Sequence, residues 1–211
     1  MAEIVSRIAP ALKEAGFRKR RHSFNRSAED GLTHVVAFQM GPYEPPGTIE
    51  VPPIRVNLYG QFTVNLGVFV PEMRTGGARG VGQWIPEYYC QLRHRLGEFI
   101  TDGQNDIWWS LDHVEEAATD VEAELLVHGL PWLDALQTRV AVLDEYRRRG
   151  RAWLGMNPSA RIDIALLLLL LGRTGEARNE LRAHWEDELH PAHRKYLVDF
   201  LEARGLDDVI T

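Results

Sequence analysis

The hydrophobic period of this chain changes once. Up to about residue 111, apolar residues alternate with polar ones over short stretches, and from His113 onward they recur at three- and four-residue spacing. Strands gathered first and helices gathered afterwards do not make parallel βαβ units, so the order predicts an α+β protein. The expected architecture is an N-terminal helix and an antiparallel meander sheet of about five strands, then a helical C-terminal half of about five helices.

The opening helix rests on Ile4, Val5, Ile8, Ala11, Leu12 and Ala15, with Gly16 as its stop; Pro10 predicts a kink or a later start. Strand patterns follow at residues 22–26, 32–40, 53–58, 62–70 and 107–111, with turn chemistry at Asp30-Gly31 and Gly60. Residues 41–53, with five prolines, and 74–82, with four glycines, read as irregular loops. Residues 88–100 read as a short helix.

In the helical half, Val114, Ala118, Val121, Leu125 and His128 share one face of a helix ended by Gly129. Leu133, Leu136, Val140 and Leu143 line the next, opened by Pro131. Further helices are expected from Ser159 to Gly172, over 176–186 and over 192–204. Ala165, Leu168, Ala177 and Leu181 have the small-large spacing of a tetratricopeptide helix pair, but no second copy is present, so the pattern predicts a plain helical hairpin. The organisation expected is a sheet domain over 1–111 and a helical region over 112–211 packed on it as one unit, because the apolar run 164–171 leaves no polar helix face.

Composition narrows the function classes. Of 211 residues, 45% are hydrophobic and 26% charged, the balance of a chain that buries a core. The eight-residue apolar run at 164–171 is too short to span a bilayer, and the first ten residues do not form an export signal. A single cysteine fits a reducing, cytoplasmic setting. Residues 1–111 carry 12 Lys+Arg against 11 Asp+Glu, and residues 112–211 carry 12 against 19. Neither half has the basic excess of a nucleic-acid binder, so no nucleic-acid partner, no membrane and no cofactor is expected.

Several constellations compete as sites. Cys90 and His94, four apart on a helix, would make a thiol and base pair, although no third residue orients them, and Asp102, Asp106 and Asp112 could join an enzyme site built from loops. His190-x-x-His193, near His184 and Glu188, lacks a metal-binding pattern, and Gly76 to Gly82 lacks the lysine of a phosphate loop. Arg18, Lys19, Arg20 and Arg21 form a basic stretch beside Phe17 and Phe24, but strand alternation would split it between two faces, so it reads as a guarded edge strand. His34 shares an apolar strand face and reads as a core histidine. No catalytic and no metal-binding residue is assigned.

The sheet offers more. Phe62, Val64, Leu66, Val68 and Val70 make an apolar face. A three-residue loop at 59–61 would then set Asn57 opposite Thr63 and Arg55 opposite Asn65, on a polar face beside Trp108 and Trp109, of which one is expected in the core. Arg55, Asn57, Thr63, Asn65, Trp108 and Trp109 are therefore the candidate ligand-binding residues, suited to a carboxylate or a peptide backbone.

Leu12-Lys13-x2-Gly16-Phe17-Arg18-Lys19, Phe24-Asn25-Arg26, Phe62-Thr63-Val64-Asn65-Leu66-Gly67-Val68, Arg93-x-Arg95-Leu96-Gly97 and Trp108-Trp109-x-Leu111 together resemble the bacterial domain-of-unknown-function family 4304, over about residues 5 to 135. The resemblance implies a bacterial α+β domain. That family has no established activity, so no catalytic residue is carried over. The expected function is a non-enzymatic protein-binding or regulatory module; an enzyme around Cys90 and His94, or a weak nucleic-acid binder through residues 18–21, is the alternative.

Overall fold

The structure, a computed structural model, describes residues 1–42, 57–73, 83–101, 106–150, 157, 159–187 and 189–210. The fold is α+β, and the chain divides into two compact units, Met1–Gln137 and Thr138–Thr211. Helices α3 (Val114–Glu124) and α4 (Leu130–Asp134), read above with the tail, lie in the first. No helix among the described residues is long and apolar enough to cross a membrane.

In the first unit, helix α1 (Ala2–Glu14) ends where Gly16 takes φ +86° and the Phe17 amide reaches back to Leu12 O at 2.9 Å. The helix begins at Ala2 and includes Pro10, so the later start is not seen. Ser6 and Pro10 are both exposed, so the bond that proline removes from the helix lies on its solvent side. Strands β1 (Arg18–Arg20), β2 (Ser23–Ser27), β3 (Thr33–Met40), β4 (Gln61–Phe69) and β5 (Leu92–Arg95) follow in a fully antiparallel meander, and β6 (Trp109–Ser110) extends β4 past the end of β5. Strand β1 is an exposed edge.

Alternation gives the sheet one apolar face. Phe24, Val36, Phe62, Val64, Leu66, Val68 and Leu92 are all essentially inaccessible there. Helices α2 (Leu96–Ile100) and α4 (Leu130–Asp134) lie on β4, and α1 packs against α3 (Val114–Glu124). Ile4, Val5, Ile8, Leu12, Val121, Leu125 and Leu133 complete this core.

Three local expectations give way. The segment read as one helix over residues 88–100 is a short 3-10 turn (Glu87–Tyr89), strand β5 and then α2. The apolar periodicity that suggested a helix belongs partly to a strand buried on one side. Gly129 does not end α3 either: the chain continues through a π-helical turn (Leu125–Gly129) into α4. A Cβ on Gly129 would stand 3.1–3.3 Å from Leu125, Leu96 and Leu66, so the missing side chain serves packing rather than termination. The strand expected over 53–58 lies mostly outside the described residues, and its described end, Asn57 and Leu58, is not strand. Among the described residues, β4 pairs with β3 on one side and with β5 and β6 on the other.

One polar cluster sits within the apolar face. Arg26 Nη2 donates to His34 Nδ1 at 3.0 Å and to Asp134 Oδ1 at 2.5 Å, and Nη1 donates to Ala15 O at 3.1 Å. An arginine accepts nothing, so Nδ1 of His34 carries no proton and Nε2–H donates to Leu136 O at 3.0 Å. The cluster thus ties the ends of α1 and α4 to β2 and β3.

The second unit holds α5 (Arg139–Arg148), α6 (Ser159–Leu170), α7 (Thr174–Glu186) and α8 (Pro191–Glu202). Thr138 caps α5 through the Ala141 amide, which replaces the single helix expected from Pro131 to Leu143 by two. α6 and α7 form the expected hairpin, with Ala165, Leu168, Ala177 and Leu181 buried and Gly172 at φ +72° in the turn.

Two outcomes follow. Trp109 is buried against Phe62, with its indole N–H on Asp120 at 2.5 Å, whereas Trp108 lies half-buried under the Arg95 guanidinium. Trp109→Ala should cost about 3–5 kcal/mol in urea unfolding and Trp108→Ala less than about 1 kcal/mol; equal losses would contradict this placement. Burial, helped by the Arg26 charge, pushes the His34 imidazole down to about 4. A depressed histidine contributes stability in full above its unfolded value near 6.5, and that contribution is lost as pH falls through 6.5 towards 4, about 3 kcal/mol in all. His34→Gln keeps an acceptor for Arg26 and a donor for Leu136, so it should fold at pH 7 and lose less stability than the native chain on acidification to pH 4.

Candidate functional site

The second face of the sheet is organised by register. Two adjacent cross-strand rows run over it: Arg18, Asn25, Val35, Gly67, Arg93, and Arg20, Ser23, Ala37, Asn65, Arg95. Each row has an arginine on both outer strands and smaller side chains between.

The first row is roofed. Asn25 is buried, and its amide donates to Ile85 O at 3.0 Å and accepts from Ile85 N at 2.7 Å, as a neighbouring strand would. That pair holds the segment from Trp84 to Cys90 over the sheet, where Ile85 and Cys90 cluster with Val35 and Phe69. Gly67 permits the close approach: a Cβ there would stand 2.6 Å from Cys90 Sγ.

The second row is open. Ser23 and Ala37 are too short to fill the space beside the roof, leaving a trough of about 830 Å³, within the volume range of ligand sites. Arg20, Arg21 and His22 form one bank, Trp84 and Tyr88 the other, and Asn65 the floor. A smaller hollow of about 180 Å³ continues from Asn65 to Arg93, Arg95, His94 and Glu98.

The two ends differ electrostatically. Arg93 donates to Glu87 at 2.5 Å, and Arg95 pairs with Asp106, which also accepts from Thr63 Oγ1 at 3.4 Å. Asn65 donates to Gln39 at 2.8 Å. No salt bridge of Arg20 or Arg21 is present among the described residues, and Arg21 holds φ +56° at the tip of the β1–β2 hairpin. The trough is therefore cationic at the hairpin end and internally neutralised at the other.

The sequence-predicted residues are partly gathered here. Thr63 and Asn65 lie on this face but are buried, opposite Gln39 and Ala37 rather than Asn57 and Arg55. Asn57 instead accepts the Tyr59 amide at 2.9 Å within the turn before β4. Arg55 lies outside the described residues. Trp108 and Trp109 divide between the faces as expected. Asn65→Ala, which removes a buried amide and its bond to the exposed Gln39, tests stability more than binding.

Alternation splits Lys19 from Arg18 and Arg20 as expected, but β1 ends at Arg20, and Arg21, which belongs to the turn, joins Arg20 instead of Lys19. Arg20 and Arg21 reach the same trough. Trp84, Tyr88 and Arg93 were missed, and the strongest hint to them was Asn25, a buried-strand position held by an amide.

The rival constellations fall apart on geometry. Cys90 and His94 share no helix. Cys90 lies against Gly67 on the trough side, whereas His94 pairs with Leu66, binds Glu98 at 2.5 Å and stacks on Phe99 at 4.2 Å beside Trp132. They occupy opposite faces of the sheet. Asp106 is committed to Arg95 and Thr63, Asp112 lies exposed after β6, and Asp102 and the glycine loop 76–82 lie outside the described residues. In the second unit His184 and His193 meet at 2.8 Å between Nε2 atoms, while His190 caps α8 through the Ala192 amide. No group of three metal-binding side chains is assembled among the described residues.

Burial pushes the Cys90 thiol up, with Glu87 adding to the effect. Iodoacetamide at pH 8 should leave Cys90 unmodified in the folded protein and label it on denaturation, since the thiolate is the reactive form; rapid labelling of the native chain would restore it as a nucleophile.

No curated protein and no solved structure matches the chain. The family described as domain of unknown function (DUF4304) matches residues 8–135, and so takes in the second half of α1, all six described strands, α2 and α3, and ends just past α4. Because that match takes in more than half of the 211 residues, the chain belongs to the DUF4304 family.

Proposed function

We propose that this protein is a non-enzymatic binding module of the bacterial cytoplasm, and that its trough receives an acidic segment of another protein. The observation that carries the reading is the trough itself, a hollow of about 830 Å³ with two arginines at one bank and two aromatic rings at the other. Planar guanidinium forks bind carboxylates through paired hydrogen bonds, and aromatic walls take the apolar part of a side chain at little entropic cost. The enzymatic alternative loses its support once Cys90 and His94 stand on opposite faces.

Charge favours a short acidic segment over a long nucleic acid. Residues 1–137 carry 12 Lys+Arg against 18 Asp+Glu, so a polyanion running beyond the trough meets an acidic surface. α3 alone brings Glu115, Glu116, Asp120, Glu122 and Glu124. A segment confined to the trough meets the arginines without that cost.

The test is a titration of hexaglutamate peptide followed by tryptophan fluorescence, with Trp84 as the reporter in the trough wall. Binding should be saturable, should weaken as salt rises from 50 to 300 mM, and should vanish in Arg20→Glu/Arg21→Glu. Both substituted residues are exposed, so folding stability should stay within about 1 kcal/mol. Undiminished binding by the double variant would sink the proposal, and tighter binding of a single-stranded oligonucleotide than of hexaglutamate would favour nucleic acid instead.

A further inference from the structure

The hairpin end of the trough offers more hydrogen-bond donors than a carboxylate takes up. Arg20, Arg21, His22 and Ser23 are consecutive, and all four line the cavity. The register sets Arg20 opposite Ser23, which places guanidinium and hydroxyl on the same face. Ser23 Oγ is buried and has no hydrogen-bond partner among the described residues. Polar atoms left in that condition are costly, and they mark places where a ligand supplies the missing partner. Ser23 itself lines the cavity beside Arg20.

Arg21 adds a second observation. It holds φ +56° at a turn position that glycine, asparagine or aspartate would occupy with less strain. Strain of this kind persists where the side chain is needed. Retaining arginine keeps a second guanidinium beside the first, at the end of the trough where no neighbouring carboxylate neutralises it among the described residues. At the opposite end Arg93 and Arg95 are held by Glu87 and Asp106.

A carboxylate presents two oxygens and one charge. A phosphoryl ester presents three terminal oxygens and nearly two charges, which two guanidinium forks and a hydroxyl match in number. Resting on the acidic-segment reading above, we infer that the hairpin end of the trough is a subsite for the phosphoryl group of a phosphorylated side chain in the partner segment. Arg20 and Arg21 clamp its oxygens, Ser23 donates from the floor, and Trp84 and Tyr88 flank the segment that carries it.

The experiment compares three heptapeptides, Glu-Glu-Glu-X-Glu-Glu-Glu with X as phosphoserine, serine or glutamate, together with inorganic phosphate. The native chain should bind the phosphoserine peptide at least tenfold more tightly than the serine peptide and severalfold more tightly than the glutamate peptide. Arg20→Gln and Ser23→Ala should each reduce that preference. Arg21→Gly should reduce it while leaving the melting temperature unchanged or higher, because glycine relieves the turn. Lys19→Gln, which removes the same charge outside the trough, should keep it. Equal affinity for the phosphoserine and glutamate peptides would overturn the phosphoryl subsite and leave the acidic-segment reading standing. Failure of all three peptides to bind would overturn both. Inorganic phosphate binding as tightly as the phosphoserine peptide would overturn the assignment to a protein side chain and point to a free phosphate-bearing molecule.

Discussion

The antiparallel register between β3 and β4, from Thr33 opposite Phe69 to Met40 opposite Phe62, is the constraint on which both faces of the sheet depend. It sets Val36 beside Leu66 and Phe38 beside Val64, so most apolar residues of the two longest strands fall on one side and are buried by helices, while Val35 and Phe69 meet the roof on the other. It equally sets Ala37 beside Asn65 and Val35 beside Gly67. A slip of one residue would exchange the faces and place Asn65 and Thr63 against the core. The trough exists because this register aligns two short side chains, Ser23 and Ala37, in one row while Asn25 and Gly67 accept a roof in the next.

Strand β2 shows how three consecutive residues serve both faces of the sheet. Phe24 enters the apolar core and stands 6.1 Å from Phe38 between ring centroids. Asn25 turns to the other face and holds Ile85 by both of its amide atoms. Arg26 turns back, gathers Ala15, His34 and Asp134, and lies 4.7 Å over the Phe17 ring. The Gly16-Phe17 and Phe24-Asn25-Arg26 motifs, far apart as patterns, therefore describe one contact region: Gly16 leaves room for the Arg26 stem, whose Cδ is 3.4 Å from where a Cβ would stand. The desolvation that this arginine suffers is offset by three acceptors, the condition under which a buried charge is tolerated.

Local patterns were legible where the physics is local. The end of α1 at Gly16, the alternation along β3 and β4, the edge position of residues 18–20 and the helical hairpin around Gly172 each follow from a few neighbouring residues. The π-helical turn at Leu125–Gly129 did not, because Gly129 is a reliable stop signal by sequence and only its contact with Leu66 and Leu96 explains why the chain continues. Residues 88–100 misled for a related reason: Leu92 and Leu96 satisfy a helical spacing, yet Leu92 sits on a strand facing the core and Leu96 begins the next helix.

By itself the sequence determined the class of the fold, the residues able to form an apolar sheet face and the identity of the cationic stretch at 18–21, since periodicity and side-chain chemistry are carried by each segment alone. Tertiary structure decided which strand pairs with β4, that Cys90 and His94 stand on opposite faces, and that Arg20 and Arg21 meet Trp84 and Tyr88 across one hollow. Those outcomes depend on strand register and on the Asn25 contact with Ile85, sixty positions away. Partners at such separation are selected by the packing of the whole unit, which no short window of sequence contains.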